Sequence, residues 1–180
     1  NLDKDFLNAK YNSDDLWGVP YMWGTTGLAI NTKYVPEDTD SWEVLWNPEN
    51  QGKMAILNDK DLVLGLASLY VGNSIYPQTR SEFDRTKDFI LLQKPLLKGY
   101  ESSIDIKKGL ISEELWAAQA YGGDAFIASQ ENSAIKYIIP KEGAQKWVDN
   151  LIIPKGAPNK YTSEVFINYI LDAKVNANIS

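Results

Sequence analysis

The feature that most constrains this chain is a repeated change of hydrophobic period. Apolar runs too short for helices alternate with longer stretches in which apolar residues recur at helical spacing. Lys53 to Leu57 reads as a short buried strand. In the next stretch, Asp59 to Val71, Leu62, Val63, Leu66, Ala67 and Tyr70 fall at i, i+1, i+4, i+5 and i+8 and line one face of a helix. Asn58 or Asp59 suits the N-cap of that helix, and Gly72-Asn73 its end. Strands alternating with helices in this way predict an α/β layer fold.

The same reading extends along the chain. Asn1 to Trp17 is polar and is read as loop with a short helical piece. Val19 to Asn31 is read as extended segments around a turn at Gly24-Thr25-Thr26. Ser41 is a suitable N-cap for a short helix through Trp46, and Asn47 to Gly52 is a turn. Ser81 to Leu92 is a second amphipathic helix, closed before Pro95. Tyr100 to Ile104 is read as a strand. Leu115 to Tyr121 is another strand, meeting Gly122-Gly123-Asp124 as a glycine turn that leads into a helix. Ile135 to Ile139 and Trp147 to Ile153 are strands, with the turn Pro140-Lys141-Glu142-Gly143 between them. Tyr161 to Leu171 closes the chain as a helix with Val165, Ile167, Ile170 and Leu171 inward.

Composition narrows the chemistry. The 180 residues contain no Cys and no His, which removes thiol nucleophiles, disulfides and the commonest zinc and acid–base chemistry. Carboxylate-only catalysis, as in glycosidases, survives that exclusion. A formal net charge of −6 repels phosphate backbones, so nucleic acid is a disfavoured partner, and cations are mildly attracted. Phosphate-cradling glycine motifs are absent. No apolar run approaches the roughly 18–20 residues that span a bilayer.

What stands out instead is aromatics placed beside carboxylates at predicted strand ends, where ligands of open α/β sheets bind. Asn58-Asp59 comes directly after the strand Lys53–Leu57; its plain structural reading is a helix N-cap. Tyr121-Gly122-Gly123-Asp124 reads equally as a core aromatic, a glycine turn and an N-cap Asp. In Trp147-Val148-Asp149, residues i and i+2 of a strand share a face, which sets a ring beside a carboxylate; the plain alternative is a buried Trp next to a surface Asp. An alkylammonium needs this combination. Cation–π contacts give about 0.5–2 kcal/mol each and hydrogen bonds to charged groups about 1.5–3 kcal/mol. Two of each approach the roughly −8 kcal/mol of a micromolar site.

Several segments in order resemble the spermidine/putrescine-binding proteins of polyamine ABC importers. They are Val19-Pro20-Tyr21-Met22-Trp23-Gly24-Thr25-Thr26, Ser41-Trp42 through Leu45-Trp46-Asn47-Pro48, Tyr121-Gly122-Gly123-Asp124-Ala125, Pro140-Lys141-Glu142-Gly143, Trp147 to Leu151 with Ile153-Pro154, and Phe166 to Leu171. The resemblance implies a type II periplasmic-binding-protein lobe, a mixed sheet flanked by helices, with incomplete pieces of a second lobe. Residues 1–26 would be a first-lobe segment and hinge strand, 27–148 the complete second lobe, and 149–180 the return crossover and first-lobe helices. The chain would then carry a little over half of a family member.

By the same resemblance Asp59 matches a carboxylate that binds a ligand amine. Tyr121 stands where the family usually has a stacking Trp. Asp124 matches a carboxylate of the putrescine-binding branch, and Trp147 and Asp149 match a stacking ring and the central ammonium-binding carboxylate. Leu62 departs from the pattern, because the family commonly has Glu there. The implied function is that of a receptor, not an enzyme, needing no cofactor. It would bind spermidine or putrescine between two lobes and dock on the membrane permease subunits of an importer, outside the cytoplasmic membrane. Another small organic cation or nutrient on the same scaffold is the main alternative. A carboxylate-pair glycosidase built on Asp124 and Asp149 is the remote one.

Overall fold

The computed structural model describes Phe6 and residues 17–179. The loop and helical piece expected over Asn1 to Trp17 therefore lie, Phe6 and Trp17 apart, outside the described residues. The described strands are β1 (Val19–Asn31), β2 (Met54–Leu57), β3 (Gly99–Glu101), β4 (Ala117–Tyr121), β5 (Ile135–Ile138) and β6 (Gln145–Leu151). The helices are α1 (Lys60–Tyr70), α2 (Arg80–Gln93), α3 (Ser103–Ile111), α4 (Gly122–Glu131), α5 (Lys160–Ile170) and α6 (Ala173–Ala177). The sheet runs in the order β3-β2-β4-β1-β5, and β6 pairs with β1. β2 is parallel to β3 and to β4, whereas β1 is antiparallel to β4 and β5.

The period-2 alternation of the strands divides the core into two layers. Leu28, Ile30, Met54 and Ile56 point to one face and pack with Trp42, Leu45 and Leu66. Ala29, Ala55, Leu57 and Ala118 point to the other and pack with Ile106 and Leu110 of α3 and with Ala125 and Ala128 of α4. A strand buried on both faces is expected when helices cover both sides of a sheet, and every residue of β2 is buried. Trp42 is anchored by its indole N–H, which donates to the Gly143 carbonyl at 2.8 Å. Ser41 caps the short 3-10 helix Trp42–Trp46 by accepting from the Glu43 N–H.

The chain divides into two compact units. One is Gly24–Lys146; the other joins Asn1–Trp23 to Trp147–Ser180. Both core layers belong to the first. The second contains the start of β1, most of β6, and helices α5 and α6.

Several local expectations are corrected. No turn interrupts Val19–Asn31: β1 is continuous over 13 residues. Gly27 serves close packing instead, since a Cβ there would stand 2.6 Å from the Ile138 carbonyl oxygen and 2.6 Å from the Tyr137 hydroxyl. β3 ends at Glu101, and Ile104 belongs to α3, whose N-cap is Ser102. Gly122 and Gly123 are the first residues of α4, not a turn; the N-cap is Tyr121, and Asp124 lies in the first turn. β6 stops at Leu151. In α5 no residue is buried, and Val165 is half exposed.

Candidate functional site

The three mutually parallel strands β3, β2 and β4 end on the same side of the Gly24–Lys146 unit. Each leads at once into a helix: α3, α1 and α4. Ligands of open α/β sheets bind at this carboxyl edge. Here it holds a cavity of about 280 Å³ lined by Leu57, Asn58 and Asp59 after β2, Glu101, Ser102 and Ser103 after β3, and Tyr121 at the end of β4. The backbone ties the rim together, since the Asn58 N–H donates to the Glu101 carbonyl at 2.9 Å.

Asp59 is both a cap and a cavity wall. Its Oδ1 accepts from the Asp61 N–H at 2.8 Å and from the Leu62 N–H at 3.1 Å. That satisfies two of the donors that open a helix and stabilises the negative charge at the positive end of α1. Both bonds go to Oδ1, so Oδ2 lies outside the cap while the residue itself lines the cavity. The capping and ligand-binding readings of Asp59 are therefore compatible. Ser102 does the equivalent work on α3: its hydroxyl accepts from the Asp105 N–H and donates to Asp105 Oδ2 at 2.6 Å.

Tyr121 joins Asp59 around the cavity. Asp124, one turn further along α4, is not among the lining residues. Its Oδ1 accepts from the ammonium of Lys107, on α3, at 2.9 Å, and both side chains are about three-quarters buried, at 25% and 23% exposure. Leu62 turns away from the cavity and packs against the core layer that contains Ala29, Ile106, Leu110 and Ala125. Its carbonyl accepts from Gln119 Nε2 at 3.1 Å. Trp147 and Asp149 lie in the other unit, on β6, with Trp147 half-buried and Asp149 exposed.

Sequence reasoning missed Glu101, Ser102 and Lys107. Glu101 was readable in principle as a carboxylate at the end of a short strand. Lys107 was not, because its partner is 17 residues away on a different helix. Among the described residues no group of three or more Asp or Glu comes together to hold a metal ion. No described helix is long and apolar enough to cross a membrane.

The model of the family described as "Bacterial extracellular solute-binding protein" matches residues 1–180. The chain belongs to that family. The family is one of binding proteins, not of enzymes, which sets aside the glycosidase alternative. The chain is 32% identical over 174 residues to the spermidine/putrescine-binding periplasmic protein 1 of Haemophilus influenzae, covering 96% of this chain and 48% of that one. It is 31% identical over 202 residues to the putrescine-binding periplasmic protein PotF of Escherichia coli, covering 100% of this chain and 54% of that one. Among solved structures it is similar to the spermidine/putrescine ABC transporter substrate-binding protein PotD of Streptococcus pneumoniae, with a TM-score of 0.84 and 26% identity. That match covers 98% of this chain and 54% of that one. The mixed sheet flanked by helices is thus the architecture of a type II periplasmic-binding-protein lobe. The chain spans about half the length of the curated relatives it matches.

Proposed function

We propose that the chain is the ligand-binding part of a receptor for an ABC importer and that its ligand is a polyamine, spermidine or putrescine. The observation that carries the reading is the cavity at the carboxyl ends of β2, β3 and β4. There a carboxylate already oriented by a helix N-terminus, Asp59, stands with Tyr121, while Glu101 lines the same cavity with its Oε1 3.8 Å from the Lys98 ammonium. A carboxylate binds an ammonium, and an aromatic ring offers a face to its charge and its methylenes. The net charge of −6 favours a cation over an anion.

In this reading Asp59, Tyr121, Asp124, Trp147 and Asp149 form the binding set. Residues 27–148 are one lobe, and 1–26 and 149–180 are hinge and pieces of the other. Ligand closes the lobes, and the closed form docks on the permease subunits outside the cytoplasmic membrane. No cofactor takes part. The names of the relatives support the ligand class, since two of them bind putrescine or spermidine by name. The packing of Leu62 into the core favours a second reading, a different small organic cation, because the residue contributes no carboxylate.

Titration calorimetry of spermidine and putrescine into the protein as its source produces it tests the proposal. Asp59→Asn and Asp149→Asn variants run alongside. Asn caps a helix about as well as Asp, so Asp59→Asn removes charge without removing the cap. Loss of a charge-assisted hydrogen bond predicts about 1.5–3 kcal/mol weaker binding in each variant. Absence of heat with both amines in a folded protein would overturn the polyamine reading.

A further inference from the structure

Three glutamines are buried among the described residues: Gln93, Gln119 and Gln145, at 0%, 1% and 7% exposure. Each donates its side-chain amide to a backbone carbonyl. Gln93 holds Leu45, in the 3-10 helix Trp42–Trp46. The other two converge on the first turn of α1. Gln145 Nε2 donates to the Asp61 carbonyl at 3.2 Å, and Gln119 Nε2 to the Leu62 carbonyl at 3.1 Å. Both carbonyls belong to peptide groups whose other end faces Asp59. The group that links Asp61 to Leu62 presents the Leu62 N–H to Asp59 Oδ1 at 3.1 Å. The group that links Leu62 to Val63 presents the Val63 N–H to the Asp59 carbonyl at 2.9 Å. We infer that Gln119 and Gln145 are positioning residues for Asp59, acting through these two peptide groups; their bearing on ligand rests on the amine site proposed above.

A peptide group is planar and stiff, so holding its oxygen also fixes the direction of its N–H. A donor on the carbonyl polarises the group and strengthens that N–H as a donor, as along any hydrogen-bond chain in a low-dielectric interior. The carbonyl oxygen has two lone pairs and can take a glutamine beside its helical partner. Gly65, one turn further along α1, makes the room: a Cβ there would stand 2.5 Å from Gln145 Nε2. Gln119 also reaches the other side of the cavity. It lies two residues before Tyr121 on β4 and shares its face. It therefore ties the strand that carries the ring to the helix capped by the carboxylate, and both of these line the cavity. Gln119 Oε1 has no protein partner, so an apolar residue of the same shape would be better buried. What the glutamine adds is its hold on Leu62.

The test titrates putrescine and spermidine into the protein as its source produces it and into Gln119→Met, Gln145→Met and Gln93→Met. Methionine keeps the shape of glutamine and removes the donor. Gln119→Met and Gln145→Met should each weaken whichever amine the parent binds by about threefold or more, the coupling expected within one hydrogen-bond network. Gln93→Met loses the same kind of bond away from Asp59; it should lower Tm comparably and leave affinity within about twofold. In an Asp59→Asn background, already weakened, the Gln119 and Gln145 substitutions should add less than about twofold, because they act through the Asp59 charge. Gly65→Ala reaches Gln145 from the helix side: alanine favours α1 by propensity, yet the variant should weaken the amine as Gln145→Met does. Without ligand, the Leu62 amide-proton resonance should move upfield in Gln145→Met and that of Val63 in Gln119→Met, and neither in Gln93→Met. Equal penalties with and without the Asp59 charge, or a loss of affinity in Gln93→Met as large as in the other two, would make the glutamines general packing residues and overturn the inference. If the folded parent binds neither amine, the amine reading fails by itself; the amide resonances then decide the positioning, and unmoved Leu62 and Val63 signals overturn it.

Discussion

The two units of this chain are built from similar sequence patterns and reach different degrees of burial. In Gly24–Lys146, Leu28, Trp42, Met54, Ile56, Leu66, Ile106 and Leu110 are all at 1% exposure or less. In the other unit α5 has an apolar stripe of the same kind, yet Tyr161 is 78%, Phe166 55% and Tyr169 60% exposed. Amphipathic spacing declares that a helix has a face to bury; it does not supply the surface that buries it. A helix gains little from its own propensity and most of its stability from packing. Within these 180 residues, stability should therefore be concentrated in Gly24–Lys146, with slow amide exchange in β2 and β4 and fast exchange in α5.

The largest effect that tests this contrast is truncation of an aromatic in each unit. Trp42→Ala removes a side chain at 1% exposure and orphans the Gly143 carbonyl it bonds. It should cost about 3–5 kcal/mol in urea denaturation. Measured on these 180 residues alone, Phe166→Ala should stay within about 0.5 kcal/mol. A comparable cost for both would mean that α5 is buried in solution and that the two units are equally supported.

A smaller effect separates the units by how tightly their backbones approach. At Gly27 an added Cβ meets the Ile138 carbonyl and the Tyr137 hydroxyl at 2.6 Å each, and a backbone oxygen cannot swing aside. Burial also pushes the pKa of the Tyr137 phenol up, and its oxygen shares a 2.8 Å hydrogen bond with Thr25 Oγ1. Gly27→Ala should cost about 1–3 kcal/mol by overpacking. At Gly18 the added Cβ meets the Asn150 Cβ at 3.0 Å and an Ile152 methyl at 3.1 Å, and Ile152 is 66% exposed and able to give. Gly18→Ala should therefore cost less than Gly27→Ala by calorimetric Tm.

How much of the fold and site was legible in the sequence depends on the range of the interaction involved. Elements set by local signals were legible: α1 with its Asp59 cap, the Ser41 cap, β2 and β5 lie within a residue or so of the positions their sequence predicts. α3 was missed because Lys107, Lys108 and Gly109 break its apolar period, and its burial comes from Ile106 and Leu110 meeting α4 and β4. The turn expected at Gly24–Thr26 was wrong because glycine there was read as punctuation. Nearby Gly27 in fact admits the neighbouring strand at close quarters. At the site, the carboxylates and rings were legible one by one. Their partners were not: Lys107 reaches Asp124 across two helices, and Glu101 joins Asp59 only because β3 pairs with β2.

The smallest effect concerns ion pairs that differ in reach. In α5 Lys160 and Glu164 pair within one helical turn, at 3.5 Å. In the larger unit Glu113 accepts from Tyr34 Oη at 2.7 Å and from the Lys33 ammonium, joining segments about 80 residues apart. Glu113 adopts φ 66°, a left-handed conformation that favours glycine, so these contacts hold a backbone that is otherwise disfavoured. The Lys33 hydrogen bond first, and the Tyr34 hydrogen bond after it, hold the Glu113 carboxyl below its ordinary 4.5. A carboxylate whose folded pKa is depressed contributes stability that is present above its unfolded-state value and is lost as pH falls through the lower folded value. Glu113→Gln should therefore lower Tm slightly at neutral pH and not at pH well below 4.5. The Tm–pH curves of variant and parent should converge on the acid side. A constant offset at every pH would mean that Glu113 acts through packing or backbone conformation and that its charge contributes nothing.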